Sequence, residues 1–287
     1  MQRRRTSLLC AVLVGAAVVT LTPAGAGAAV PRSGDAPQMI ISLSPTATEM
    51  LFAIGAGKQV IAVDDQSNFP ERAPTTDLSG YTPNVEAIAG YAPDLVVLPD
   101  GQVKSQLEDL GIEVLVLPAA ERLSDSYAQI RKLGQVTGHQ KAANRLVSEM
   151  RADIADLSAE VPDGGKRPTA YYELDDTYFS ADSSTFIGRL LQRGGFDNIA
   201  DGAKAESPGY PQLSSEAIVD ADPDAVFLAD SKCCAQSAAT FGSRPGFDAL
   251  TAVTDGDVVT LDDDVASRWG PRVVELLRQI VKERTQL

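Results

Sequence analysis

Glu86-Ala87-Ile88-Ala89-Gly90-Tyr91-Ala92-Pro93-Asp94-Leu95-Val96-Val97-Leu98-Pro99-Asp100 returns 130 residues later as Glu216-Ala217-Ile218-Val219-Asp220-Ala221-Asp222-Pro223-Asp224-Ala225-Val226-Phe227-Leu228-Ala229-Asp230, with eight of fifteen positions identical. Each copy reads as a short helix, a Pro-Asp stop and a buried strand that closes on a carboxylate. A unit of this kind present twice predicts two similar α/β lobes. Two lobes imply a cleft between them.

Before the first copy, strand 39–43 leads through Ser44-Pro45-Thr46 into helix 47–54, which stops at Gly55-Ala56-Gly57, and strand 60–63 ends in Asp64-Asp65. The copy itself supplies helix 84–91 and strand 94–98, followed by helix 102–110 and strand 113–117. From 124 to 160 the pattern is helical, broken only at Thr137-Gly138. Between His139 and Glu160 the apolar residues Ala143, Leu146, Val147, Met150, Ile154 and Leu157 fall at spacings of three and four, the stripe of one amphipathic helix. At 1.5 Å per residue it reaches about 33 Å, enough to cross from lobe to lobe. Beyond Val161-Pro162-Asp163-Gly164-Gly165 come strand 169–174, helix 184–193, the second copy, strand 257–261 and helix 271–284. Strands alternating with helices predict an α/β fold of two similar lobes, each with a mainly parallel, helix-covered sheet. The expected divisions are an N-terminal lobe at 30–137, a backbone helix at 138–162 and a C-terminal lobe at 163–287.

Residues 1–29 carry Arg3-Arg4-Arg5, an apolar run from Leu8 to Leu21 and a small-residue end at Ala26-Gly27-Ala28-Ala29. That order is a secretory signal peptide, and the run is shorter than a membrane span requires. Cys10 sits at the start of the apolar core behind Leu8-Leu9, a poor setting for lipid attachment, so the mature chain is expected without a lipid. Removing three arginines and no acids takes the formal charge from −14 to −17. So acidic a body will not hold nucleic acid by bulk attraction. A monomeric extracytoplasmic protein is expected, and any membrane partner must be another chain.

The segments IISLSPTATEMLFAIGAGKQVIAVDD (40–65), NVEAIAGYAPDLVVL (84–98), STFIGRLLQRGGFDNIA (184–200), YPQLSSEAIVDADPDAVFL (210–228) and SRWGPRVVELL (267–277) together resemble the periplasmic binding proteins that deliver cobalamin, haem and ferric siderophores to ABC importers. The similarity runs from about residue 38 to the C-terminus and is most evident toward cobalamin-binding members. It implies a rigid two-lobed receptor with a metal chelate clamped between the lobes and no cofactor of its own. It also implies that Glu86 and Glu216, one per lobe, meet arginines of the membrane permease. Physically, a carboxylate near a helix start is stabilised by free N–H groups and can still face outward. Like charges on two lobes could dock on a two-fold transporter, although simple helix capping would also account for each.

Ligands of open parallel sheets collect outside the carboxyl ends of strands. Large planar chelates are held by aromatic faces with few polar anchors. The aromatic candidates are Tyr81, Tyr178, Tyr210 and the sole tryptophan, Trp269. Asp100 lies at a strand end, and Asp264 with Arg268 falls where the resemblance places polar ligand contacts. Tyrosines stand where cobalamin binders tend to carry tryptophans, and tyrosine also ligates haem iron, which keeps haem and ferric siderophores behind cobalamin as cargo. The adjacent Cys233-Cys234 pair is expected as a disulfide in an oxidising compartment, with free thiols the alternative.

No resident metal site is expected, because zinc or manganese would need several imidazole and carboxylate ligands and the chain has one histidine, His139. No Gly-x-Ser-x-Gly elbow is present, so Ser-His-Asp hydrolysis has no support. Gly55-Ala56-Gly57-Lys58 follows a helix and lacks the hydroxyl residue of a nucleotide loop. The readings from other classes are an extracytoplasmic enzyme using Asp65, Asp100, Asp230 and Asp264, and an adhesion module without cargo. The sequence favours a binding protein over an enzyme.

Overall fold

The computed structural model describes residues 36–287, so the signal peptide expected at 1–29 lies outside the described residues. The first sheet holds β1 (Ile40–Ser42), β2 (Val60–Val63), β3 (Leu95–Leu98) and β4 (Glu113–Val116), separated by α1 (Pro45–Ala53), α2 (Val85–Gly90) and α3 (Lys104–Asp109). Helices α4 (Leu123–Val136) and α5 (Gln140–Glu160) follow. The second sheet holds β5 (Thr169–Glu173), β6 (Asp197–Asn198), β7 (Ala225–Leu228) and β8 (Val258–Thr260), with α6 (Phe186–Arg193), α7 (Ser215–Ala221), α8 (Ala238–Gly242) and α9 (Thr251–Asp255) between its strands. Two helices close the chain, α10 (Asp263–Ser267) and α11 (Val273–Arg284).

The sheets repeat each other. Their strand orders are β2-β1-β3-β4 and β6-β5-β7-β8, the same path walked twice, and every pairing in both is parallel. The duplicated segment supplies the equivalent central strands β3 and β7, whose residues are buried throughout. Strands covered by helices on both faces have no polar face to present, which is why Leu95-Val96-Val97-Leu98 and Ala225-Val226-Phe227-Leu228 run unbroken in apolar residues.

Local chemistry sets the helix starts. The Ser44 hydroxyl accepts the Ala47 N–H at 3.4 Å, and Pro45 opens α1 where a missing N–H costs nothing. Asn84 and Ser214 do the same for α2 and α7, accepting from Ala87 and Ala217 at 3.0 and 3.1 Å. Helix α5 buries Ala143, Val147, Met150, Ile154 and Leu157, at the spacing the sequence predicts, with Leu146 half-buried beside them. Each large aliphatic side chain so buried contributes about 1.5–3 kcal/mol of transfer free energy.

That stripe does not merely bridge two separate cores. One apolar cluster contains Ile40 and Val97 of the first sheet, Val147 and Ile154 of α5, and Phe227 and Leu277 of the second half. The lobes therefore share a continuous interior. Smaller clusters cover the outer faces, around Val96 and Leu107 in the first half and around Tyr171, Phe241 and Phe247 in the second. The five-residue helices α8, α9 and α10 and the two-residue strand β6 are too short to show a periodicity, and the sequence reading leaves them out.

Candidate ligand-binding cleft

In an order of β2-β1-β3-β4 the chain reverses direction across the sheet between β1 and β3, and the loops leaving those two strands part to leave a crevice. A cavity of about 430 Å³ sits there. Ser44, Pro45 and Thr46 after β1, Asp64 and Gln66 after β2, and Pro99 and Asp100 after β3 form one wall. Gly80 and Tyr81 complete that side. A Cβ on Gly80 would lie 2.7 Å from the Leu43 carbonyl oxygen and 2.8 Å from Asp64 Oδ2, so only glycine lets this turn seat against β1. The facing wall is Asp264, Ser267, Arg268 and Trp269, from α10 and the residues after it.

Of the expected ligand contacts, Tyr81, Asp100, Asp264, Arg268 and Trp269 are brought together here. Tyr81 is 80% exposed, a phenol ring presented to the cleft without packing of its own. Asp100 is turned on its own loop, accepting from the Gln102 backbone N–H and side-chain amide at 2.9 and 3.0 Å. The Trp269 indole N–H donates to Gln129 Oε1 at 2.9 Å, which fixes the ring. Tyr210 stands in a smaller adjoining cavity of about 60 Å³ with Phe186, Ala266 and Trp269. Tyr178 differs from expectation. It packs on Phe247 at 5.9 Å and beside the Arg244 guanidinium at 5.2 Å, and it lines neither cavity.

The charged ends of Asp264 and Arg268 are largely taken up by protein partners. Arg268 is 8% exposed; its guanidinium donates to Glu49 Oε1 at 2.8 Å, Asn68 Oδ1 at 3.1 Å, the Gln66 carbonyl at 3.0 Å and Asp264 Oδ1. Arg272 donates to both Glu49 oxygens and lies 4.2 Å over the Phe69 ring. Asp264 Oδ2 accepts from Lys232 Nζ at 2.7 Å and from the Asn68 amide at 2.9 Å. Burial pushes the Asp264 carboxyl up, but the Lys232 and Asn68 hydrogen bonds and the Arg268 charge outweigh it and hold the group below the usual aspartate range. Asp64 goes the other way, raised chiefly by burial, with Oδ1 left unpaired. The Glu49 network joins the first and second halves at the cleft.

Sequence reasoning missed Glu49, whose side chain is 1% exposed. Its local sequence does not announce the role: only the structure shows every residue from Thr46 to Phe52 buried, where a glutamate must find a cation. Asp64 rather than Asp65 faces the cleft. Asp230, one of the four acids of the enzyme reading, is fully buried under the second sheet with neither oxygen hydrogen-bonded. Its neighbour Glu173 is held bidentately by Arg244 at 2.6 and 2.7 Å, and burial with the Glu173 charge pushes the Asp230 carboxyl up to about 7. These acids do not converge on a reaction site.

The Cys233 and Cys234 sulfurs lie 2.6 Å apart without a bond between them, nearer than two separate thiols would pack, and the disulfide of the sequence reading stands as a proposal. Their loop is pinned to α10, since Asp263 accepts the Lys232 and Cys233 N–H groups at 2.9 Å. The two repeated glutamates are exposed at the second position of α2 and α7, equivalent places in the two halves. Hydrogen bonds from its own N–H, Ser214 and Ser215 lower the Glu216 carboxyl.

A two-lobed parallel α/β shell with a cleft at the switch point of its first sheet defines a class of extracytoplasmic solute receptor. Residues 40–265 match the family described as "Periplasmic binding protein", and the chain belongs to that family. A cobalamin-binding protein of Halobacterium salinarum is 32% identical over 249 residues, covering 83% of this chain and 67% of the relative. An uncharacterised ABC transporter substrate-binding lipoprotein of Bacillus subtilis is 29% identical over 259 residues, covering 86% and 79%. The solved structure of a periplasmic haem-binding protein from Roseiflexus superposes with a TM-score of 0.76 at 22% identity, over 88% of this chain and 99% of the other, a likeness of fold. Membership places the chain among binding proteins, and the ABC transporter role belongs by name to the Bacillus relative.

Proposed function

We propose that this protein captures a metal chelate of the cobalamin class in the cleft between its two sheets and presents it to a membrane permease through Glu86 and Glu216. The observation that carries the cargo class is the charge of the cleft. Asp64, Asp100 and Asp264 line it, and the one arginine among its described lining residues, Arg268, is already compensated by Glu49 and Asp264. A wall of that kind suits a chelate whose rim carries neutral amides, as a corrin's does. It disfavours the carboxylates of haem and of acidic siderophores, which would meet like charge in a partly dry site.

Tyr81 and Trp269 offer ring faces from opposite walls, with Tyr210 beside Trp269. Haem is the second reading, favoured by one observation: the Tyr81 phenol is free to ligate ferric iron. Titration calorimetry with cyanocobalamin, haemin and a siderophore panel separates them. Saturable cyanocobalamin binding that weakens in Trp269→Ala is the expected result; binding of haemin alone, lost in Tyr81→Phe, replaces the first reading by the second, and heat from none of them removes both.

The docking assignment has its own test. Reversing both charges, Glu86→Lys with Glu216→Lys, leaves cargo binding intact and abolishes uptake in cells carrying the cognate importer; normal uptake would remove docking from the account. The exported chain begins after cleavage near Ala26 to Ala29, carries no lipid and acts as a monomer, all three readable from intact mass and light scattering.

A further inference from the structure

A cluster of unpaired positive charge in this acid-rich chain lies away from the cleft. A cavity of about 540 Å³ opens between the start of α4, α6 and the last turns of α5; it shares no lining residue with the 430 Å³ cleft and only Phe186 with the small cavity that adjoins it. Arg122, Arg189 and Arg193 all line it, and among the described residues no carboxylate does, although Asp125 lies behind the Ser124 hydroxyl. Among the described residues none of the three arginines forms a salt bridge, and their one side-chain hydrogen bond runs from Arg193 to Ser158 Oγ at 3.4 Å. Single unpaired arginines occur elsewhere on the surface. Three converging on one cavity in a chain with 39 acidic and 25 basic residues is a different matter, because carboxylates were abundant and none was placed here.

The arrangement is also unfavourable when empty. Arg189 and Arg193 stand one turn apart on one face of α6, where like charges repel. Of the other polar groups of the lining, the Ser124 and Ser158 hydroxyls are spent on Asp125 Oδ1 and the Ile154 carbonyl at 3.3 and 2.6 Å, which leaves the Gln192 amide as a further donor beside the arginines. Leu123, Phe186 and Leu190 supply the apolar part of the lining. A guanidinium fork matches the oxygen pair of a carboxylate or phosphate, and the volume is that of a small-molecule site rather than of a single inorganic ion.

We infer that this cavity is a binding site for a small organic polyanion, a carbon skeleton bearing two or three carboxylate or phosphate groups, separate from the cargo cleft. Arg122 enters from the first-sheet side of the molecule and Arg189 and Arg193 from the second. An occupant contacting all three therefore ties the two halves together at the back, beside the connecting helix α5.

The test uses the whole exported chain and two probes, 1,3,5-benzenetricarboxylate, which has charge and an apolar ring, and pyrophosphate, which has charge alone. Sodium chloride at matched ionic strength is the control. Calorimetry shows one saturable site, tighter for the tricarboxylate because its ring can pack on Leu123, Phe186 and Leu190. Arg122→Gln and Arg189→Gln, on different segments, each weaken it about tenfold, the order expected on losing hydrogen bonds between charged groups. Arg189→Lys restores part of the loss, and the thermal midpoints of the unliganded variants match the parent since these side chains are exposed. Absence of saturable heat, equal affinity for both probes, binding that the variants leave unchanged, or displacement by cargo would each overturn the assignment. The readout needs no cargo, so it stands or falls apart from the cobalamin reading.

Discussion

Glu49→Gln is the substitution that most directly probes how the two halves hold together. The parent carboxylate, 1% exposed, receives Arg268 at 2.8 Å and Arg272 on both oxygens. Breaking a buried pair by removing one partner costs roughly 3–5 kcal/mol, because the remaining charge is left uncompensated. Arg268 keeps Asp264 and Asn68, and Arg272 keeps its place over Phe69, so the lower end of that range, about 3 kcal/mol, is expected here. Urea unfolding of the exported chain measures it as a shift of the midpoint at constant slope. A cycle with Arg268→Gln must show strong non-additivity, since the two residues touch. Lys104→Ala, in a pair with Glu108 that is about half exposed, serves as the contrast and changes stability by less than about 0.5 kcal/mol. A loss under about 1 kcal/mol for Glu49→Gln, or simple additivity in the cycle, would refute the view that this network fastens the halves across the cleft.

Three further outcomes follow from groups described above. Asp230, raised to about 7, binds its proton more tightly folded than unfolded, so the stability it confers is complete below the ordinary aspartate value of 3.8 and is lost as pH climbs through 7. Asp230→Asn should flatten the decline in unfolding free energy between pH 4 and pH 8; an unchanged pH profile contradicts the buried-proton account. Gly80→Ala forces a methyl against the Leu43 carbonyl and Asp64, at a cost of about 1–3 kcal/mol, and lowers cargo affinity by shifting the turn that carries Tyr81. A variant as stable as the parent with full affinity would mean that the turn relaxes freely. The Cys233 and Cys234 sulfurs lie 2.6 Å apart, and in the exported compartment the pair is proposed to close as a disulfide, giving up two protons and two electrons to that compartment's thiol oxidants. Thiol titration of denatured, unreduced protein should then find none, and two reactive thiols would end that proposal.

The repeated segment carried the architecture because its signals are local. An N-cap, a Pro-Asp stop and an unbroken apolar run are read within a dozen residues, and two copies forced two sheets of the same path. The cleft was legible on the side of the first sheet, where Ser44, Asp100 and Tyr81 sit at strand ends, and also at Asp264 to Trp269. What stayed hidden depends on partners far apart in the chain. Arg268 finds Glu49 across 219 positions, and nothing in either neighbourhood announces the other. Tyr178 also follows a strand, but its backbone turns through a left-handed φ of 70° and sends the ring against Phe247 rather than into the cleft. Asp230 closes its strand as Asp100 does, yet the structure covers it completely, so equivalent positions in the repeat have taken opposite environments.

The unbroken interior beneath both sheets sets how the receptor can let go. A body whose halves were tied only by flexible crossings could gape and discharge its load by thermal breathing. Here, widening the mouth must tear apolar contacts along α5 and pull Arg268 from Glu49, so a wider opening is a costly distortion rather than thermal breathing. On the proposed function, the work of any such opening would fall to the permease that grips Glu86 and Glu216.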